Sequence, residues 1–124
     1  MSFQVAATAY DRFMGRFSRP LSVEFADWLG AESGWSALDV GCGPGALTSV
    51  LAARLGAASV VAVDPSEPFV AASRERLPDV TVVQASAEAL PFADETFDLT
   101  VEQLVVHFMT DPSAGVAELR RVTR

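Results

Sequence analysis

An apolar run that ends in three alternate glycines governs what this chain can become. It reads Ala37-Leu38-Asp39-Val40-Gly41-Cys42-Gly43-Pro44-Gly45-Ala46, followed by Leu47, Val50, Leu51 and Leu55 at helical spacing. The run predicts a buried strand, the glycines a tight turn, and the spacing beyond them a helix. Glycine lacks Cβ, so it takes φ > 0 and lets a ligand lie directly against backbone. A turn of this kind between strand and helix is where nucleotides bind in α/β sheets. Two ligand classes compete for it. Gly41-x-Gly43-x-x-Ala46 satisfies the dinucleotide pattern, and Asp64 stands at roughly the 20-residue distance of a ribose-binding acid. Against a pyrophosphate, Pro44 deletes one N–H and Asp39 places a carboxylate just before the loop. A ligand with a cationic centre and an ammonium group suits that chemistry better.

The remaining pattern alternates strands with helices. Strands are expected over about residues 36–41, 59–64, 80–84 and 97–103. The intervening helices run over 45–55, stopped by Gly56, and from an N-cap at Ser66 through Leu77, closed by Pro78. Asp111 caps a last helix begun by Pro112, with Val116, Leu119 and Val122 facing inward. Ahead of the first strand, residues 5–17 place Ala6, Ala9, Tyr10, Phe13, Met14 and Phe17 at helical spacing, with Arg12, Arg16 and Arg19 on another face. Ser18 then caps a second helix with Pro20 in its first turn. Leu21, Phe25, Trp28 and Leu29 form its core stripe, and Gly30 ends it. The expected class is α/β: a doubly wound parallel sheet of order 3-2-1-4, with its switch point between strands 1 and 4, and two N-terminal helices.

At this point LDVGCGPGALT resembles the first motif of class I S-adenosylmethionine (SAM)-dependent methyltransferases, and VVAVDPSE resembles their acidic second-strand motif. ASAEALPFADETFDLTVEQLVVHF is similar to the third- and fourth-strand region of the family's small-molecule "type 11" branch, which includes ubiquinone and menaquinone methyltransferases. The opening AYDRFMGRFSRPL also looks like the start of such chains. The resemblance implies a helical lid over residues 1–35 and a Rossmann-like SAM-binding domain over 36–124. In the family the last helix continues into a Pro-Gly-Gly turn, a fifth strand and an antiparallel pair. The chain is therefore expected to be a truncated form, with its fourth strand an exposed edge open to self-association.

The same resemblance assigns roles. Asp64 accepts from both ribose hydroxyls, with Pro65 and Ser66 beside it; Gly41, Cys42 and Gly43 pass the methionine and ribose parts along the loop. Asp39 supports the loop and the methionine amino group. Ser86 and Ala87 meet the adenine, Gln103 holds the methionine end, and Tyr10 with Arg19 or Arg16 meets its carboxylate. Cys42 is read as a packing residue rather than a nucleophile. Where the family commonly has an Asp, this chain has Ser86, whose shorter, uncharged hydroxyl is expected to lose roughly 1 kcal/mol of cofactor affinity. His107 is the candidate general base, with packing or substrate contact as its alternative role. The reaction implied is in-line displacement by a small-molecule acceptor, releasing S-adenosylhomocysteine. A nicotinamide-dependent oxidoreductase fragment and a non-catalytic binding module remain as alternatives.

Composition narrows the partners. The 124 residues suit one small domain, and half of them are apolar, enough for a modest core. A formal charge of −7 opposes non-specific binding to nucleic acid or to an anionic membrane surface. A single cysteine makes no internal disulfide, and no metal-ligand spacing such as C-x-x-C is present. MSFQVAATAYDRF lacks a signal-peptide apolar region, and no apolar run approaches a bilayer span, so a cytoplasmic location is expected.

Overall fold

The computed structural model describes residues 16–103 and 109–124. In chain order the elements are α1 Arg16–Leu29, β1 Ala37–Val40, α2 Ala46–Leu55, β2 Val60–Asp64, α3 Glu67–Arg76, β3 Thr81–Gln84, β4 Leu99–Glu102 and α4 Pro112–Val122, with a short 3₁₀ turn Ala57–Ser59 before β2. The four strands are parallel and lie in the order β3-β2-β1-β4, with Asp39 level with Ala62 on one side and Val101 on the other. The expected sheet is therefore the observed one. Each strand is shorter than its apolar run, because the outer residues of the run leave the ladder for turns.

Both faces of the sheet are covered, which is why the strands read as continuous apolar runs. Ala37, Val60, Ala62, Val82 and Val101 pack on one face with Leu47, Leu51 and Leu55 of α2 and Val70 of α3. Leu38, Val40 and Val63 pack on the other with Val122 of α4 and Ala87, Leu90 and Phe97 of the segment before β4. Arg121 ties that segment down: it donates to the Leu90 and Phe92 carbonyls and pairs with Glu118 and Asp94. Asp111 caps α4 as expected, accepting from Ala114 N–H at 3.1 Å. Beyond α4, Thr123 bridges in parallel to Phe97, and Arg124 N–H donates to the Phe97 carbonyl. The approach to β4 is thus partly covered by the chain's own last residues. Among the described residues, no helix is long and apolar enough to cross a membrane.

The N-terminal expectations need correction. All but the last two residues of the helix expected over 5–17 lie outside the described residues. Ser18 does not start a new helix: α1 runs unbroken through it, with Pro20 inside. Proline there removes only the bond to the carbonyl four residues back, one turn in. The apolar stripe faces the core only in part: Phe25 and Leu29 pack against it, and Leu21 and Trp28 do not. Trp28 is 81% exposed and Leu21 40%, while Ser18, Ser22 and Ala26 are buried and Phe25 and Leu29 half-buried. Three small residues at i, i+4 and i+8 let α1 approach α2 closely, and Arg54 of α2 reaches Asp27 at 2.5 Å across that contact. On α4, Val116 is 52% exposed rather than inward; Leu119 and Val122 face the sheet as expected.

Candidate functional site

β1 delivers the chain into the glycine turn at the carboxyl end of the sheet, where the backbone is heavily tied. Gly41 and Cys42 N–H both donate to the Val63 carbonyl, at 2.8 and 3.0 Å, and Gly45 N–H donates to the Cys42 carbonyl at 3.0 Å. Gly43 N–H donates to Asp64 Oδ2 at 2.9 Å. Pro44 has no N–H to give. Positions 41 to 45 therefore hold no uncommitted N–H toward a pyrophosphate, whatever their spacing. From α3, Ser73 Oγ donates to the Gly43 carbonyl at 2.8 Å and Arg76 to the Pro44 carbonyl at 3.1 Å, fixing the loop from its far side.

Gly45 shows why the turn demands glycine. It sits at φ 101°, and a Cβ placed on it would meet Ser73 Oγ at 3.3 Å and Leu77 Cδ1 at 3.4 Å. Gly45→Ala is expected to destabilise the fold by roughly 1–3 kcal/mol, from positive-φ strain added to a tight contact. Urea unfolding checks this: the midpoint falls while the m-value stays.

Asp64, at the tip of β2, is 6% exposed, with its carboxylate held between the glycine turn and the start of α3. Its two oxygens are both engaged, Oδ2 by Gly43 N–H and Oδ1 by Ser66 N–H at 2.8 Å. Burial raises its pKa, and those two N–H bonds oppose the rise. A carboxylate offers about four acceptor positions, so each oxygen retains one for a ligand hydroxyl. Ser66 stands at the start of α3 as expected, but its hydroxyl caps nothing. Asp64 takes Ser66's own N–H, Pro68 lacks one of the first-turn N–H groups that a cap would meet, and Ser66 Oγ is buried with no partner among the described residues. Pro65 is exposed, and its carbonyl accepts from Gln84.

Asp39, on β1, is 1% exposed and takes a hydrogen bond from Thr48 Oγ1 of α2 at 2.6 Å. Burial pushes its pKa up to about 7; the Thr48 bond opposes this, and the charges of Asp64 and Glu102 add to it. It walls a cavity of about 20 Å³ with Ser18, Gly41, Cys42, Pro44 and Gln103 among its neighbours. Cys42 is buried, near the Gly43 carbonyl and Ser73 Oγ, and burial holds its thiol well above its ordinary pKa, with Asp39 and Asp64 adding to the shift. That environment suits packing, not nucleophilic attack.

Gln103 follows β4 directly. Its side chain turns to α1, where Nε2 donates to the Ser18 carbonyl at 3.3 Å and to Ser22 Oγ at 2.9 Å. Ser86 is exposed and its hydroxyl is committed to the Glu88 carboxylate, whose other oxygen accepts from Asp111 N–H at 3.3 Å. Both Glu88 oxygens are thereby engaged, and Ala87 beside it is buried. Arg19 is exposed on α1 and does not wall the cavity. Tyr10 and His107 lie outside the described residues, as do Arg12 and the side chain of Arg16. The structure also brings in Thr48 and Ser73, which the sequence did not single out, and Ser18, which it marked only as a helix cap. A hydroxyl inside an otherwise apolar helix face was the only signal they gave.

The "Methyltransferase domain" family profile matches residues 38–124. The chain belongs to that family. This methyltransferase domain is 36% identical over 124 residues to an uncharacterised methyltransferase of Mycobacterium tuberculosis, covering 100% of this chain and 48% of that one. It is 37% identical over 98 residues to demethylmenaquinone methyltransferase of Beutenbergia cavernae, covering 79% of this chain and 40% of that one. Among solved structures it is similar to a SAM-dependent methyltransferase from Thermotoga maritima, with TM-score 0.77 and 26% identity, over 94% of this chain and 53% of that one. The methyltransferase domain spans about half the length of the curated relatives it matches. Membership separates the two readings of the glycine turn, and does so in favour of the sulfonium nucleoside.

Proposed function

We propose that this domain binds SAM in the crevice beside the glycine turn and that the protein transfers its methyl group to a small-molecule acceptor. One observation carries the reading: a buried Asp64 carboxylate held by Gly43 and Ser66 N–H, beside a loop whose N–H groups from 41 to 45 are all committed. Such a site offers acceptors to a sugar and to cations, and residues 41–45 of its loop offer no N–H to a pyrophosphate. The buried, unpartnered hydroxyl of Ser66 supports a polar ligand next to Asp64. In this reading Asp64 grips the ribose, and Pro65 and Ser66 flank it. Ser86 and Ala87 meet the adenine, while Gly41, Cys42, Gly43 and Asp39 line the methionine side. The lid role of residues 1–35, with Tyr10 on the carboxylate, rests on the family resemblance; Arg19, exposed and off the cavity wall, has no support from the structure for that contact.

When bound, SAM supplies a methyl already activated on a sulfonium. The chain's own residues hold the nucleoside, keep water out and leave the methyl facing the switch point. His107 takes the acceptor's proton where one must leave. The likeness to demethylmenaquinone methyltransferase supports a flat, apolar acceptor of quinol type. Pairing of two copies along the outer edge of β4 belongs to the same proposal. Calorimetric titration tests the core of it. S-adenosylhomocysteine is expected to bind saturably and NAD to give no heat; NAD binding in preference would overturn the reading.

A further inference from the structure

β3 and β4 are the two edges of the described sheet, and because the strands are parallel the chain leaves both at the carboxyl end. Beyond β3 it turns through Ser86 and Glu88; beyond β4 it enters α4 at Pro112, with Asp111 as the cap. A side chain joins the two exits. Asp111 accepts from Ala114 N–H, but alanine stands at the third helical position, where a glutamate or glutamine would reach back to the cap's own N–H. Glu88 fills that role from another segment. Its Oε1 accepts from Asp111 N–H at 3.3 Å, with the Thr110 N–H also on the carboxylate. A negative charge at this end of a helix is favoured by the helix dipole as well. Ser86 sets the aim: its hydroxyl donates to the other Glu88 oxygen and accepts from Glu88 N–H at 3.2 Å. Two further contacts make the segment and the helix one unit. Leu90 N–H donates to Glu118 Oε1 at 2.8 Å, and Met109 Sδ occupies the space that a Cβ on Gly115 would need.

We propose that Glu88, aimed by Ser86, is a positioning residue that couples the nucleoside site to the start of α4. This rests on the assignment of SAM to the crevice, with Ser86 and Ala87 at its adenine. It adds a route by which an occupied crevice steadies the β4 side of the switch point. A ligand lying on the turn restrains Ser86, Ser86 restrains the Glu88 carboxylate, and the carboxylate holds the two N–H groups ahead of α4. Ser86 and Asp111 are exposed and Glu88 half-buried, so these bonds open more easily than core ones and leave the ligand something to tighten. The coupling is reciprocal: loosening the start of α4 must weaken the ligand by the same factor.

Hydrogen exchange read by mass spectrometry on the full chain, with and without saturating S-adenosylhomocysteine, tests this. In the wild type the ligand is expected to slow exchange over Thr110–Gly115 by roughly fivefold, the lower end of couplings between sites. Glu88→Ala is expected to bring that slowing within about 1.5-fold while the glycine turn keeps its ligand protection. Glu88→Gln, which retains one acceptor oxygen, should restore part of it. A cap with no coupling role would speed exchange ahead of α4 equally with and without ligand and leave the ligand's effect unchanged, and that result overturns the proposal. Calorimetry on a double-mutant cycle supplies a second readout. Asp111→Ala, which strips the α4 cap, should weaken S-adenosylhomocysteine by roughly fivefold in the wild type and by less than about 1.5-fold in Glu88→Ala. Equal losses in the two backgrounds overturn the coupling. Ligand protection at the glycine turn with none at Thr110–Gly115 overturns it too and leaves the nucleoside site standing. Failure to bind S-adenosylhomocysteine at all overturns both.

Discussion

Asp64→Asn is expected to lower affinity for S-adenosylhomocysteine by about 100-fold or more, the largest single-residue effect in the domain. Two losses combine. Each charge-assisted bond from a ribose hydroxyl contributes about 1.5–3 kcal/mol, and two such bonds exceed the roughly 2.8 kcal/mol that corresponds to 100-fold. The second loss is geometric. Asp64 receives Gly43 N–H on one oxygen and Ser66 N–H on the other. An Asn side chain must set its NH₂ against one of these donors, which pushes either the glycine turn or the start of α3 away from the crevice. The variant therefore also loses folding stability, by about 1–3 kcal/mol for a buried N–H left without its acceptor. Calorimetry at a temperature where circular dichroism shows the variant folded separates the two. Affinity within threefold of the wild type would show that the carboxylate is structural and that the sugar is held elsewhere.

What the sequence made legible is what depends on chain pattern, and what it hid depends on contacts between particular side chains that no pattern records. Continuous apolar runs bounded by glycine and proline marked four buried strands, their alternation with helices implied a parallel sheet, and the doubly wound order 3-2-1-4 is the one observed. The glycine turn and the acid at the tip of β2 were legible for the same reason. The capping of α3 was not. Ser66 holds the N-cap position, but Pro68 lacks one of the N–H groups its hydroxyl would cap and no side-chain cap bond forms, while the Ser66 N–H goes to the Asp64 carboxylate. The face of α1 was hidden in another way. Hydrophobicity predicts a stripe through Trp28, but close approach to α2 selects the small residues Ser18, Ser22 and Ala26. Small size rarely registers in an apolar pattern. Gln103 combined both problems: its position after β4 was evident, and its turn toward α1 depended on a serine 81 residues away.

Asp39 makes both stability and binding depend on pH, with opposite signs. Its carboxyl is buried at 1% exposure, and its pKa is raised to about 7, chiefly by burial, with Asp64 and Glu102 adding to the shift and Thr48 opposing it. In the ligand-free domain the folded state keeps its proton up to about pH 7, whereas the unfolded chain releases it near 3.8. Its contribution to stability is thus fully present below the unfolded value and is lost as pH rises through the folded one. Between them the slope is on the order of 1.4 kcal/mol per pH unit. Asp39→Asn is expected to remove that slope and to be the more stable protein above pH 7, as read by urea unfolding across the range. Binding runs the other way. S-adenosylhomocysteine is a net-neutral zwitterion, but its ammonium placed beside Asp39 favours the ionised carboxylate, so its uptake must expel the proton that the free site holds. Wild-type affinity should then rise roughly tenfold per pH unit up to about pH 7 and level off above it, since the ligand's ammonium stays charged throughout that interval. Asp39→Asn should bind more weakly at neutral pH and show a flat profile. A wild-type profile as flat as the variant's would mean that the carboxylate never faces the ligand's charge, and that burial next to Thr48 is its whole role.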